Sequence, residues 1–192
     1  MLILIADDES IIRMGLKSML ESQGHQVLSA TNGREALRMA EHRPPDLAIL
    51  DIHMPYTDGL QAARALMASR PLPILILTAF SEQDLIDKAT DLPIQGYLIK
   101  PVEPEALAAA VSVAAKRFAD SRAQATQMAK LEADLATRKL VDRAKGKLMR
   151  DGLSEDEAYR MIQALARRER QTLAAAAAAI LTSSPDTKGE AG

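Results

Sequence analysis

Five short apolar runs punctuate the first hundred residues: LILIA at 2–6, QVLSA at 26–30, DLAIL at 46–50, LPILILT at 72–78 and GYLIK at 96–100. Runs this short and this uninterrupted fit strands buried on both faces, as in a parallel sheet. The segments between them are amphipathic at helical spacing and carry start signals. Asn32 with Glu35, and Ser81 with Asp84, each place an acidic residue three positions after an N-cap. Pro104 suits the first position of a helix after Glu103. Strand and helix therefore alternate five times, which predicts an α/β fold, a parallel sheet wrapped by helices on both sides. In such sheets, function gathers at the carboxyl ends of the strands.

After Pro104 the pattern changes. Val111, Ala114, Phe118, Ala125 and Met128, then Leu131 and Leu135, form an apolar stripe compatible with one long helix. Past the first domain the stripe also suits a coiled-coil seam, and so a homodimer. A helix lying on its own domain is the competing reading. A turn at Asp151–Gly152 and a capping box in Ser154 and Glu157 precede a helix over about 155–168. A last helix carries Leu173, six alanines, Ile180 and Leu181. The small polar end TSSPDTKGEAG is expected to be disordered. The expected organisation is a domain over 1–118, a helical or coiled-coil linker over 119–137, a small three-helix domain over 138–182 and a tail over 183–192.

Composition narrows the setting. The 192 residues include no cysteine, which excludes disulfides and thiolate metal sites and fits a reducing cytosol. The opening MLILIADDES has no basic n-region, and its apolar run stops at Asp7, so it does not read as a signal peptide. No apolar stretch approaches the roughly 18 residues of a membrane span. A cytoplasmic chain with no membrane partner is expected. Charge is uneven: residues 1–137 hold 13 Lys/Arg against 18 Asp/Glu, a net of −5, while residues 138–171 hold 10 against 6, a net of +4. A polyanion would therefore meet the back of the chain, unless the excess is an ordinary solvated helix surface.

The strand ends carry the candidate chemistry. Asp7 and Asp8 follow the first strand and Asp51 the third, while Thr78 ends the fourth and Lys100 the fifth. A parallel sheet would bring all five to one edge. Three carboxylates so placed repel one another, and a hard divalent cation with oxygen ligands, Mg2+, relieves that. A carboxylate beside such an ion can attack a phosphoryl group, with the metal, a hydroxyl and a lysine offsetting charge on the transferring oxygens. A single strand-end Asp is more simply a turn residue or a cap. Five matching residue types at one edge are a stronger signal.

ADDE, LDIHMPYTDG, LTA and YLIKP resemble the receiver domain of two-component response regulators, over about residues 1–118. The resemblance implies a doubly wound five-stranded sheet of order 2-1-3-4-5 and a sensor histidine kinase as partner. It makes Asp51 the phospho-acceptor and gives Mg2+ to Asp7, Asp8, Asp51 and the backbone carbonyl of His53. It assigns phosphoryl oxygens to Thr78 and Lys100, a switch role to Tyr97, and a cis bond to Lys100–Pro101, which an X–Pro peptide adopts readily. The His53 imidazole is not expected to be a ligand, and His25 and His42 form no site by spacing.

AKGKLM, DG and SEDEAY resemble the ANTAR domain, the RNA-binding output module of transcription antitermination regulators, over about residues 138–182. The matching positions are Ala144, Lys145, Gly146, Leu148, Met149, Gly152, Ala158, Tyr159 and Ala166, with TLAAAAAAIL closing the third helix. The leucine–arginine pair frequent in the family is Ile162–Gln163 here, one cation fewer. The resemblance implies binding of an RNA stem-loop, the antiterminator hairpin, under control of phosphorylation. Gly146 costs about 1 kcal/mol against alanine inside a helix, which a close helix–helix approach or a close phosphate backbone would justify. Arg143, Lys145, Lys147 and Arg150 cluster around it, and Arg160, Gln163, Arg167 and Arg168 lie on the next helix. Tyr159 can stack on an unpaired base or serve as a core aromatic.

Two other readings remain. A DNA-binding regulator is disfavoured by the lack of a helix-turn-helix pattern and by the alanine-rich last helix. A protein-binding adaptor would dock the same helical piece on a partner. No catalytic constellation follows Lys100, so the only expected chemistry is the receiver's own phosphorylation and dephosphorylation.

Overall fold

The computed structural model describes residues 1–79 and 94–182. The helix start expected at Ser81 and the tail over 183–192 lie outside the described residues. Five strands, β1 (Leu2–Ala6), β2 (Gln26–Ala30), β3 (Leu47–Asp51), β4 (Ile74–Thr78) and β5 (Gly96–Ile99), form one parallel sheet of order β2-β1-β3-β4-β5. The helices are α1 (Ser10–Ser22), α2 (Gly33–His42), α3 (Gly59–Ser69), α4 (Pro104–Arg150), α5 (Glu155–Arg168) and α6 (Leu173–Thr182). The doubly wound architecture is the one expected. The chain divides into two compact units, Met1–Arg122 and Ala123–Gly192.

Period-two alternation explains the first unit's two cores. Leu4, Leu50, Ile74 and Ile76 face one side of the sheet and pack with Ala36 of α2 and Ala62, Ala63 and Leu66 of α3. Ile3, Ile5, Ile49, Leu75 and Leu77 face the other and pack with Leu16 and Leu20 of α1 and Leu107, Val111 and Ala114 of α4. The central strands β3 and β4 are buried throughout, which is why their sequences run apolar without alternation. Each such Leu or Ile contributes about 1.5–3 kcal/mol by leaving water. The sheet is thus held rigidly from both faces, and its carboxyl edge becomes a fixed platform.

Local signals set the helix ends. Asn32 Oδ1 accepts the Glu35 N–H at 2.9 Å, and Glu35 returns a carboxylate to the Thr31 N–H and hydroxyl. In the second unit, α4 ends at a turn in which Gly152 takes φ +100°, a left-handed conformation that glycine adopts without strain. The Leu153 N–H closes the turn on the Leu148 carbonyl at 3.2 Å. Ser154 and Glu157 then form the capping box of α5. Val141, Ala144 and Leu148 of α4 pack with Ala158 and Ile162 of α5 and Ala176, Ala177 and Ile180 of α6. This core is small and alanine-rich, so helix axes approach closely and each contact adds little.

Candidate functional site

The β1–α1 turn is built around Asp7. It is fully buried; its Oδ1 accepts the Glu9 N–H at 2.8 Å. The Arg13 guanidinium donates to the carbonyls of Asp7 and Asp8 at 2.9 and 3.0 Å, fixing the turn from the first coil of α1. Asp51, the last residue of β3, is 5% exposed. The register pairs Asp51 with Leu77 and Thr78 with Ile99, so the ends of β3, β4 and β5 lie level and Lys100 emerges beside Asp51. The Lys100–Pro101 peptide is cis.

Lys100 Nζ lies 2.7 Å from Asp51 Oδ1, 2.8 Å from Asp7 Oδ2 and 3.5 Å from Glu9 Oε1. Burial pulls the Lys100 pKa down, but its pairing with the Asp51 and Asp7 carboxylates outweighs that and holds the ammonium above its ordinary range. Burial pushes Asp51 up; the Lys100 hydrogen bond and charge oppose this, while the charges of Asp7 and Asp8 add to it. An open cleft of about 370 Å³ lined by Asp8, Glu9, Asp51, His53, Ala79 and Lys100 gives access from solvent. Thr78 is buried at the same edge, its hydroxyl donating to the Ala79 carbonyl at 3.0 Å. Tyr97 pairs with Ile76 in register and packs partly buried against the α2–α3 core.

The donor set fits a hard divalent cation. Asp7, Asp8 and Asp51 each offer a carboxylate oxygen, and these atoms lie within 4.8 Å of one another. One lysine faces three carboxylates, which leaves an excess of negative charge. Asp7 Oδ2, although close to the ammonium, is buried without an aligned hydrogen bond. All-oxygen ligation with that spacing suits Mg2+.

Asp7, Asp8, Asp51, Thr78 and Lys100 all come together, as does His53 at the rim. Two participants escaped sequence reasoning. Glu9 adds a fourth carboxylate, and Arg13 braces the turn. The only hint was their placement, directly after the aspartate pair and one helical turn beyond it.

Two glycines let the loop after Asp51 close. A Cβ on Gly59, at the start of α3, would fall 2.0 Å from the Asp51 carbonyl oxygen; one on Gly33 would fall 2.6 Å from that of Thr57. Tyr56, in the same loop, takes φ +70° and lies under Arg34, whose guanidinium carbon is 5.9 Å from the ring centroid.

In the second unit the ten candidate RNA contacts separate into engaged and open groups. Lys145 Nζ pairs with Glu155 Oε1 at 2.7 Å and Asp142 Oδ1 at 3.3 Å. Lys147 Nζ donates to the Ile180 carbonyl at 2.8 Å, favourable at the carboxyl end of α6. Arg168 pairs with Glu169 at 2.9 Å. Arg143, Arg150, Arg160 and Arg167 are exposed, and Tyr159 and the half-buried Gln163 sit beside the last two on α5. A Cβ on Gly146 would meet only Arg150 Nη1, at 3.9 Å, so no packing within the described residues demands glycine there.

Comparisons with known proteins agree with this geometry. The family model for the response regulator receiver domain matches residues 3–112, and that for the ANTAR domain matches residues 129–181. The transcriptional regulatory protein PdtaR of Mycobacterium tuberculosis is 41% identical over 181 residues, covering 93% of this chain and 88% of that protein. The crystal structure of a response regulator receiver domain protein from Clostridium thermocellum superposes with a TM-score of 0.57 at 33% identity, over 60% of this chain and 94% of that one. Chemotaxis protein CheY4 of Vibrio cholerae gives 0.56 at 29% identity, over 59% and 97%. A parallel sheet ending in clustered aspartates, followed by three helices that match the second family and a relative spanning nearly the whole length, places this chain among the response regulators that join a receiver domain to an ANTAR domain.

Proposed function

We propose that Asp51 accepts a phosphoryl group from a sensor histidine kinase, and that the acyl phosphate switches binding of an RNA stem-loop by the second unit, which favours an antiterminator hairpin over a terminator. The observation that supports this most is the Asp51 carboxylate seated 2.7 Å from the Lys100 ammonium in an open cleft. The balanced step is attack of an Asp51 carboxylate oxygen on phosphorus, cleavage of the phosphorus–nitrogen bond of phosphohistidine, and return of the electron pair to the leaving imidazole. Lys100, released from Asp51 as that carboxylate becomes the acyl phosphate, pairs with a phosphoryl oxygen. The Thr78 hydroxyl turns from the Ala79 carbonyl toward another oxygen. Tyr97 follows the space Thr78 vacates, which changes the β4–β5 surface. Asp7, Asp8, Asp51 and the His53 carbonyl hold Mg2+, which when bound neutralises charge on the transferring group.

The receiver spans 1–118, a helical linker 119–137 and the RNA-binding domain 138–182. Met128, Leu131 and Leu135 are exposed on α4 at spacings of three and four. They supply a seam for a homodimer of the phosphorylated form, which sets two RNA-binding units side by side with a gain in avidity. The cytosol, where kinase and transcript are both accessible, is the compartment that suits these partners.

Two measurements test this. Because burial first, and the neighbouring carboxylates second, raise the Asp51 pKa, protons compete for the nucleophile at a pH above the ordinary aspartate range. In metal-free protein the Asp51 carboxyl carbon resonance is expected to titrate above about 3.9, the ordinary aspartate value. A midpoint below the ordinary value refutes the assignment of the environment. For the output, Arg143→Glu with Arg150→Glu, both exposed, is expected to weaken binding of a hairpin RNA pool by tenfold or more, on the order of two lost phosphate contacts, with the thermal transition retained. Unchanged RNA affinity with retained binding to a protein partner favours the adaptor reading. Equal loss for duplex DNA and hairpin RNA favours the DNA reading.

A further inference from the structure

Lys145 sits in the AKG stretch that marks the output domain, yet its side chain is less exposed than those of the neighbouring Arg143 and Arg150 and is engaged by two carboxylates. Its side chain is 19% exposed, while its partners Asp142 and Glu155 remain 56% and 67% exposed. Asp142 belongs to the same helix one turn earlier, and Glu155 is the first residue of α5, so the lysine bridges two helices across the Gly152 turn. The neighbouring acid Glu157 is committed elsewhere, to the Ser154 N–H and hydroxyl. Glu155 therefore faces Lys145 without competition from its own capping box. Hydrogen bonds to Glu155, then to Asp142, raise the Lys145 pKa, so the lysine stays charged. The triad carries two negative charges and one positive, a net of −1. Arg143 and Arg150 stand exposed on another side of α4, whereas a phosphate that approaches the α4–α5 turn meets this anionic cluster around Lys145.

We propose that Asp142 and Glu155 make Lys145 a gated cation: they withhold it from generic polyanions, and only an RNA whose fold brings a phosphate against the α4–α5 turn displaces Glu155 and gains the contact. Glu155 and Asp142 are thus specificity-determining residues acting through Lys145. A carboxylate hydrogen bond to the ammonium is charge-assisted and geometrically defined, so displacement needs a phosphate held in place rather than a diffuse strand. The exposed arginines bind first and without selection; the gated lysine rewards shape. This rests on the RNA reading above.

The test uses the full chain with single-stranded poly(U) as a generic polyanion and a hairpin pool with randomised loops as the structured ligand. Asp142→Asn with Glu155→Gln is expected to bind poly(U) more tightly, with the slope of log affinity on log salt steeper by about 0.7, one added single-strand phosphate contact. Lowering salt from about 200 to about 50 mM then widens the gap over wild type about 2.5-fold. Adding Lys145→Ala to the double variant is expected to remove the gain, and the preference for hairpins over poly(U) is expected to narrow in the double variant alone. A poly(U) slope equal to wild type in a folded double variant overturns the gate, as does a gain that survives Lys145→Ala. If wild type binds neither RNA with any salt dependence, the RNA reading itself fails, a result distinct from either.

Discussion

Asp51→Asn is expected to abolish acyl phosphate formation, whether the donor is a histidine kinase or a small phosphodonor supplied with Mg2+. Asparagine keeps the shape of the side chain and offers Lys100 a neutral oxygen in place of the charged one at 2.7 Å. It cannot act as an anionic nucleophile, and it removes one of the three carboxylates grouped within 4.8 Å. Both losses bear on the same step, so the effect is complete rather than graded. Asp7 stays paired with Lys100 at 2.8 Å and hydrogen-bonded to Glu9, and the surrounding strands are unaltered, so the fold persists. The measurement is incorporation of labelled phosphate, with intact mass on the same sample. Stoichiometric labelling that persists at another side chain refutes Asp51 as the acceptor; a folded, unlabelled variant upholds it.

Much of that edge is legible in the sequence. Strands buried on both faces need unbroken apolar runs, and the residue ending each run must then lie at the sheet's carboxyl edge, so Asp7, Asp8, Asp51, Thr78 and Lys100 could be grouped from position alone. The strand boundary at β3 differs by one: residues 46–50 were expected and Leu47–Asp51 is observed, since Asp46 turns its carboxylate to the Leu2 N–H at 2.8 Å and leaves the run. Glu9 and Arg13 were not legible, because their roles depend on how one turn folds back on its own carbonyls. The cations of the second unit show the same limit more sharply. Lys145, Lys147 and Arg150 look alike in a basic helix, yet one is clamped by carboxylates, one holds the carbonyl of Ile180 and one stands open. Sequence spacing reports which residues share a helix face. It does not report which of them the next helix has already claimed.

Gly59→Ala is expected to be the most damaging single-methyl change in the receiver unit. The glycine opens α3, its N–H donating to the Ile52 carbonyl at 3.0 Å while Asp58 caps the helix through the Gln61 N–H at 2.7 Å. An added Cβ would lie 2.0 Å from the Asp51 carbonyl oxygen, 2.8 Å from its carbon and 3.3 Å from Ile52 Cα. Those neighbours are backbone, of Asp51 at the end of β3, which is buried from end to end, and of Ile52 directly after it, so no rotamer change relieves the overlap. The cost should reach the upper end of overpacking penalties, about 3 kcal/mol. In a unit of this size that corresponds to a thermal midpoint lower by roughly 10 °C. Gly96→Ala is the matched control, because among the described residues its Cβ would meet only one side-chain methyl, Leu75 Cδ2 at 3.3 Å, and no backbone, and its midpoint should move by no more than about a quarter as much, an ordinary strand-glycine effect. The two variants also separate stability from chemistry. Any relief of strain at Gly59 must shift the backbone of Asp51 itself, moving its carboxylate off Lys100 and away from Asp7. Phosphorylation by a small phosphodonor, measured well below the unfolding transition, should therefore fall in Gly59→Ala and hold in Gly96→Ala. Equal midpoints for the two would mean that α3 can slide away from β3 freely, and the rigid seat assigned to Asp51 would not exist.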